Sequence, residues 1–194
     1  MYCELIPMKL SLVVPCYNEA ENVAAFQDAV MVAFEGCGYD YEIVFIDDGS
    51  KDATLHNLRK IYAEKKSAVT VVSFSRNFGK EAGIYAGLQH AKGDYIAVID
   101  ADLQQRPEIV RDMVKILDEQ PEYDMVSAYQ DRRGESKVLS FFKKSFYNLI
   151  NHLSDVSLHA DASDFRTFRR NVADSIITLG EYHRFSKGIF AWVG

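Results

Sequence analysis

The chain has 194 residues and carries 28 Asp and Glu against 22 Lys and Arg, a net charge of −6. This acidic balance argues against a nucleic-acid-binding function, which needs a basic face to displace counterions from phosphates. Hydrophobic residues make up 48% and aromatic residues 12% of the chain, which predicts a folded domain with a sizeable core rather than a disordered segment.

Short apolar segments rich in β-branched residues alternate with segments whose apolar residues recur at helical spacing. Strands are predicted at residues 9–14, 42–46, 69–74, 95–99 and 125–128. Helices are predicted at residues 21–34, 81–91 and 107–117, with a further helix after Ser50. This order predicts an α/β protein in which a mostly parallel sheet lies between helices, with ligands bound beyond the carboxyl ends of the strands.

Two helix starts carry capping signals. Asn18, with Glu21 three residues later, fits an N-cap and its reciprocal partner, and Ser50 fits the N-cap of the next helix. The inner face of that second helix is predicted to be Leu55, Leu58 and Tyr62.

The pattern changes after Tyr129. Residues 131–137 are polar and predict a loop, and residues 138–153 predict an amphipathic helix with Lys143 and Lys144 on its polar side. That helix either packs on the domain or lies against a membrane surface or partner. A last helix is predicted at 171–179. The chain ends on an apolar run without a helix stop, so we expect further sequence beyond it.

Acidic residues follow the fourth predicted strand directly. Asp100 and Asp102 stand at its end, where a turn can bring both carboxylates to one centre, and Gln104 offers a further oxygen. Hard oxygen ligands suit Mg²⁺ or Mn²⁺ shared with phosphate oxygens. The alternative is a solvated acidic turn.

Three other segments offer candidate binding groups. Asp47 and Asp48 follow the second strand, where an Asp could accept a hydrogen bond from a nucleobase or bind ribose hydroxyls; a turn explains Asp48 in part but does not explain why both acids are there. Pro15 fixes the turn after the first strand, and Tyr17 offers a flat face for a base. Asp164 could act as a general base, or simply be a salt-bridged turn acid.

Cations that could hold a diphosphate occur in several loops. They are Arg76, Lys80, Arg132, Arg133, Arg184 and Lys187. Neither a P-loop nor a G-x-G-x-x-G motif follows the first strand, so nucleoside triphosphatase and dinucleotide-binding functions lose their main support. The five histidines show no metal-ligand spacing.

Six blocks, in order, resemble the family 2 glycosyltransferases of GT-A fold. Within that family, the chain is most similar to the dolichyl-phosphate mannosyltransferase and bacterial polyprenyl-phosphate glycosyltransferase branch. The blocks are VVPCYNEAENV (13–23), DDGSKDAT (47–54), SFSRNFGKEAGIYAGLQHAKGDY (73–95), IDADLQQRPE (99–108), ASDFRTFRR (162–170) and RFSKGIFAWVG (184–194).

The resemblance implies roles for individual residues. Nucleotide binding is implied for Pro15, Tyr17, Glu19, Asp47 and Asp100. Asp100, Asp102 and Gln104 would bind the metal, Mg²⁺ or Mn²⁺, and Asp164 would be the catalytic base. Phosphate binding is implied for Arg132, Arg184 and Lys187. Lys187 stands where the family has Arg, so it supplies charge without a bidentate fork.

The resemblance also implies a whole-chain organisation and activity. A nucleotide-sugar-binding core would span about residues 8–130 and an acceptor-side region residues 131–194 of one catalytic domain. An inverting transfer would move sugar from a UDP- or GDP-sugar to a polyprenyl phosphate lipid at the cytoplasmic face of a membrane. Membrane-spanning segments would follow this chain in the full-length protein, and a homo-oligomer is one possible assembly. The alternatives are transfer to a polysaccharide or other soluble acceptor, and a non-catalytic nucleotide-sugar-binding domain. A nucleotidyltransferase would be expected to have a Gly-rich basic loop after the first strand, which this sequence lacks.

Overall fold

The computed structural model describes residues 9–129 and 162–178. The predicted loop 131–137, the amphipathic helix 138–153, and Arg132, Arg184 and Lys187 lie outside these residues. The helices and strands, in chain order, are β1 (Lys9–Cys16), α1 (Val23–Phe34), β2 (Asp40–Asp47), α2 (Thr54–Glu64), β3 (Val69–Ser73), α3 (Lys80–His90), β4 (Tyr95–Val98), α4 (Pro107–Glu119), β5 (Met125–Tyr129), β6 (Ala162–Arg169) and α5 (Arg170–Thr178).

The strands form one six-stranded sheet in the order β3-β2-β1-β4-β6-β5. The pairs β1–β2, β1–β4 and β2–β3 are parallel, whereas β6 lies antiparallel between β4 and β5. The predicted α/β fold with a mostly parallel sheet is therefore confirmed. Strand β6 was not predicted, and it separates two strands that the chain order would make neighbours.

Helices cover both faces of the sheet because the inner strands are apolar on both sides. On one face, Leu12 and Val14 of β1 pack in a cluster with Phe26 and Leu117 from α1 and α4. On the other face, Val13 belongs to a second cluster with residues of α3 and α5. Alternate side chains of one strand thus enter two separate cores.

Helix α3 lies close to the sheet because Gly87 has no side chain. A Cβ atom at Gly87 would lie 2.3 Å from Cγ1 of Val13 and 2.8 Å from Cδ1 of Ile46. This close packing holds the helix across β1 and β2, so that its first residue, Lys80, stands at the carboxyl end of the strands.

The predicted helix caps were wrong. Helix α1 begins at Val23 and α2 at Thr54, and neither is capped by a side chain. The Asn18 side chain instead accepts a hydrogen bond from the backbone N–H of Lys51 (2.9 Å), and the Asn18 N–H donates to Ser50 Oγ (3.0 Å). Both polar residues tie the loops after β1 and β2 together, because that tertiary contact competes with local capping.

One predicted core position was also wrong. Tyr62 was assigned to the inner face of α2, but its side chain is 43% exposed, while Leu58 is fully buried. Helix α2 meets the sheet near its edge, so a narrower stripe of the helix is covered.

Candidate active site

A cleft of about 360 Å³ opens at the carboxyl ends of the parallel strands. The loops that follow β1, β2, β3 and β4 all contribute to it, as expected for a sheet of this topology. Its walls are Pro15, Cys16, Tyr17, Glu19, Asp48, Asn77, Gly79, Lys80, Asp100, Ala101 and Asp102.

The loop after β1 forms one wall and is held from behind. The backbone N–H of Glu19 donates to Thr54 Oγ1 (2.8 Å), and the Glu19 carboxylate accepts from Asn22 Nδ2 (2.6 Å). Tyr17, 40% exposed, presents its ring at this wall beside Pro15. The structure therefore brings together Pro15, Tyr17 and Glu19, three of the residues predicted to bind nucleotide.

The two acids after β2 differ in their surroundings. Asp47 is 1% exposed, accepts from the N–H of Ser50 (3.2 Å) and the hydroxyl of Ser73 (3.1 Å), and lies behind the cleft wall. Asp48 reaches the cleft, and it accepts the backbone N–H groups of Phe78 (2.7 Å) and Gly79 (2.9 Å). Asp48 thus fixes the loop after β3, whereas nucleotide binding by Asp47 stays a prediction.

The two acids after β4 both face the cleft. The backbone N–H of Asp100 donates to Gln105 Oε1 (3.0 Å), and Gln105 Nε2 donates to Asp100 Oδ2 (3.3 Å). Asp102 accepts from the backbone N–H of Gln104 (3.0 Å), whose side chain is exposed. Leu103 has a φ of 60°, and this left-handed residue turns the chain after Asp102. Gln105, rather than Gln104, is the glutamine whose side chain contacts Asp100.

Strand β6 brings Asp164 to the same place. Val98 of β4 pairs with Arg166 of β6 in the antiparallel ladder. Two residues further along β4 and two residues back along β6, the same register leads to Asp100 and Asp164. Both acids therefore stand just beyond the last residues that pair β4 with β6, on one face of the sheet.

Lys80 lies between these two acids. Its ammonium group contacts both oxygens of Asp100, at 2.7 Å and 2.9 Å, and lies 3.4 Å from Asp164 Oδ2. Burial by itself would lower the pKa of Lys80, but the hydrogen bond and charge of Asp100, together with the charge of Asp164, outweigh it and the pKa is raised. Lys80 is therefore a cation throughout the physiological pH range.

A second cation lies beneath Asp164. Arg166 is 3% exposed, and burial lowers its pKa, while the charges of Asp164 and Glu81 act in the opposite direction. By contrast, Arg76, one of the cations predicted for diphosphate binding, is stacked over the ring of Phe78, 4.8 Å from its centroid.

The oxygen atoms at the cleft wall fit a divalent cation that is bound by both the protein and the phosphates of a substrate. Among residues 9–129 and 162–178, no three His, Cys, Asp or Glu side chains converge as a metal site. Asp100 and Asp102 nevertheless offer hard carboxylate oxygens at the cleft wall. Mg²⁺ characteristically takes one or two carboxylates and completes its shell with water and substrate phosphates, so two acids at an open cleft fit such an ion.

Some site residues were not singled out from the sequence. No individual role was predicted for Asn77, Gly79 or Gln105. Asp48 was considered only together with Asp47 in the segment after the second strand, and Lys80 only as one of several cations. The available signal was their position directly after strands β2, β3 and β4. Which side chain of each loop turns inward depends on contacts between loops, such as that of Asp48 with Gly79.

The fold and the cleft define a class. A doubly wound sheet with a DxD segment at the end of its central strand is the architecture of GT-A glycosyltransferases. A mannosyltransferase from Pyrobaculum calidifontis, solved with GDP-Man and Mn²⁺, shares this fold with a TM-score of 0.62 at 22% identity, over 89% of this chain and 47% of that one. The chain belongs to glycosyl transferase family 2, whose sequence profile matches residues 11–177, so the predicted glycosyltransferase class is confirmed at the level of the family.

Curated relatives agree with this family. The chain is 40% identical over 185 residues to a putative glycosyltransferase, CsbB, of Bacillus subtilis, covering 95% of this chain and 55% of the relative. It is 40% identical over 188 residues to the bactoprenol glucosyl transferase of Shigella phage SfV, covering 96% of this chain and 60% of the relative. The chain therefore spans little more than half the length of these relatives. None of the helices described is both long and apolar enough to cross a bilayer.

Proposed function

We propose that this chain is the catalytic domain of an inverting glycosyltransferase that moves a sugar from a nucleotide-diphosphate donor to a polyprenyl phosphate. The observation that carries the proposal is that Asp100 and Asp102 line one cleft, with Asp164 next to Asp100 through their shared contact with Lys80. Support for the acceptor comes from the relative named as a bactoprenol glucosyl transferase, at 40% identity. Support for the donor comes from the similar fold solved with GDP-Man and Mn²⁺.

Different residues around the cleft would bind different parts of the donor. The nucleoside would lie against Pro15, Tyr17 and Glu19, with Asp47 behind that wall. Asp100 and Asp102, with the predicted contribution of Gln104, would hold Mg²⁺ or Mn²⁺. Such an ion neutralises charge on a leaving diphosphate and orients it. Phosphate binding by Arg132, Arg184 and Lys187 remains a prediction, because these three residues lie outside the part of the chain that the structure describes.

Asp164 would serve the acceptor. An oxygen of the acceptor phosphate attacks the anomeric carbon, and Asp164 accepts its proton. The bond between that carbon and the diphosphate oxygen breaks, and the nucleoside diphosphate leaves with the electron pair. Attack from the side opposite the leaving group inverts the anomeric configuration.

The test is a transfer assay with radiolabelled UDP- and GDP-sugars, Mn²⁺ or Mg²⁺, and undecaprenyl or dolichyl phosphate in detergent. We expect label in the organic phase, in a product of inverted anomeric configuration by NMR. Asp164→Asn should lower transfer at least about a hundredfold, since general-base catalysis contributes about that much or more. Asp100→Asn and Asp102→Asn should also lower transfer strongly, because each removes a proposed ligand of the divalent cation. Asp112→Asn, an exposed acid on α4, is the matched control and should retain full activity.

Other outcomes would favour the alternatives. Label that appears only in the aqueous phase, on a soluble sugar acceptor, would overturn the lipid acceptor. Donor binding by calorimetry without turnover on any acceptor would indicate a non-catalytic nucleotide-sugar-binding domain. Full activity of Asp100→Asn and Asp102→Asn, with metal still required, would refute the proposed metal ligands. The proposed membrane binding would be tested by flotation of the chain with polyprenyl-phosphate vesicles, and the proposed cytoplasmic face by protease protection in sealed membrane vesicles.

A further inference from the structure

We infer that Lys80 is a positioning residue that acts as the built-in counter-ion of the acid pair Asp100 and Asp164, so that a divalent cation binds this site strongly only together with a diphosphate. The inference rests on the proposed function in one respect, that a divalent cation binds at Asp100. It concerns a residue that the proposed mechanism does not use.

The geometry shows that Lys80 already occupies one side of the proposed metal ligand. Its ammonium nitrogen contacts both oxygens of Asp100, at 2.7 Å and 2.9 Å. A cation held by either oxygen would lie within a few ångströms of that ammonium group. Two positive groups at such a distance repel each other, most strongly where water is partly excluded.

The lysine has few other positions available. It is the first residue of α3, and α3 is held against the sheet by the close contact of Gly87 with Val13. Its ammonium group also lies 3.4 Å from Asp164, so leaving Asp100 entirely would remove the cation that both carboxylates share. The lysine therefore stays near both acids unless another cation replaces its charge.

A diphosphate changes this balance. Its negative charges add ligands for the divalent cation and a further anionic partner for the Lys80 ammonium group. The N-terminus of α3, where Gly79 and Lys80 line the cleft, adds a positive dipole end that favours phosphate oxygens. Metal and nucleotide should consequently bind with positive coupling, and the metal alone should bind weakly.

The test measures Mn²⁺ binding to the ligand-free chain, using the electron paramagnetic resonance signal of free aqueous Mn²⁺ at pH 8. We expect Lys80→Met to bind Mn²⁺ about tenfold or more tightly than the natural chain, because one nearby positive charge is removed. Lys80→Arg keeps the charge and should bind Mn²⁺ as weakly as the natural chain. Lys115→Met, on the exposed face of α4, makes the same change in net charge at a distant position and should also leave the affinity unchanged.

The identity of the site is tested by a double variant. Asp100→Asn placed on Lys80→Met should abolish the gain in affinity. A retained gain would mean that the ion binds elsewhere, and it would overturn the inference. Lys80→Gln repeats the test with a polar side chain if the Met variant unfolds, as judged by circular dichroism.

Two results would overturn the inference directly. One is Mn²⁺ affinity in Lys80→Met and Lys80→Gln that equals or falls below that of the natural chain. The other is an equal gain in Lys115→Met, which would reduce the effect to net charge. Because this measurement uses neither donor nor acceptor, failed sugar transfer with a tighter Lys80→Met site would refute the proposed function and leave this inference standing. Conversely, Mn²⁺-dependent sugar transfer by the natural chain, together with an unchanged Mn²⁺ affinity in Lys80→Met, would support the proposed function and overturn this inference.

Discussion

One buried carboxylate controls the shape of the cleft wall formed by the loop after β3. Asp48 is 3% exposed and accepts the backbone N–H groups of Phe78 and Gly79 at 2.7 Å and 2.9 Å. Asp48→Ala removes both acceptor oxygens at once. Alanine offers no acceptor in their place, so the loop that carries Asn77 and leads into Lys80 loses this anchor.

The size of the effect follows from these two bonds. Leaving a buried donor without a partner costs roughly 1–3 kcal/mol, so two donors could cost about 2–6 kcal/mol. Phe78 is 52% exposed, so water can reach this loop once the carboxylate is gone. We therefore expect the lower part of that range, about 2–3 kcal/mol of the free energy of unfolding.

The assay has a global and a local readout. Urea unfolding followed by circular dichroism gives the loss of stability, and hydrogen exchange gives the protection of the Phe78 and Gly79 amide protons. Both amides should lose protection in Asp48→Ala. Asp112→Ala, whose side chain is 69% exposed, is the matched control and should change stability by no more than about 0.5 kcal/mol. Unchanged amide protection in Asp48→Ala, with stability equal to the control, would refute the anchoring role.

Three further predictions concern the scaffold. Gly87→Ala should destabilise the fold by about 1–3 kcal/mol in urea unfolding, because its Cβ would lie 2.3 Å from Val13 Cγ1; a neutral result would contradict the close packing of α3. Gly49→Ala should cost more than Gly87→Ala, because Gly49 has a φ of +65° and its Cβ would meet the Arg76 backbone at 2.4 Å, so an equal or smaller loss would be inconsistent with that contact. Glu42→Gln should lower stability at neutral pH, and progressively less below about pH 4.5, the ordinary pKa of a Glu. The reason is that hydrogen bonds outweigh the effect of burial and lower the pKa of Glu42. An equal loss of stability at pH 3 and pH 7 in urea unfolding would contradict this prediction.

The sign of the Glu42 prediction follows from proton linkage. The folded state has the lower pKa, so the unfolded chain binds more protons at mildly acidic pH. The stabilising contribution is complete above the unfolded pKa and is lost as the pH falls through the folded value. Its causes are local: Ser11 Oγ donates at 2.7 Å, Lys92 N–H donates at 2.6 Å, and the Lys9 ammonium group lies 3.2 Å away.

The spacing of apolar residues along the chain was sufficient to predict most of the strands and helices. Predicted strands 9–14 and 42–46 lie within β1 and β2, and predicted helix 107–117 lies within α4. Apolar side chains at these spacings share one face only when the segment forms the matching strand or helix, so the local pattern and the final structure agree. The caps assigned to Asn18 and Ser50 failed because both side chains found partners in each other's loops, a contact that no local pattern reports.

The sequence by itself determined that a parallel α/β sheet would form and that Asp100 and Asp102 would stand at the end of a central strand. Those results depend on hydrophobic spacing and on the rule that loops at the carboxyl ends of parallel strands converge. Only the tertiary structure decided that β6 inserts antiparallel beside β4 and brings Asp164 next to Asp100, with Lys80 between them. The physical reason is that strand order and inter-strand register are set by the packing of distant segments, so acids separated by 64 residues become neighbours only once the sheet is assembled.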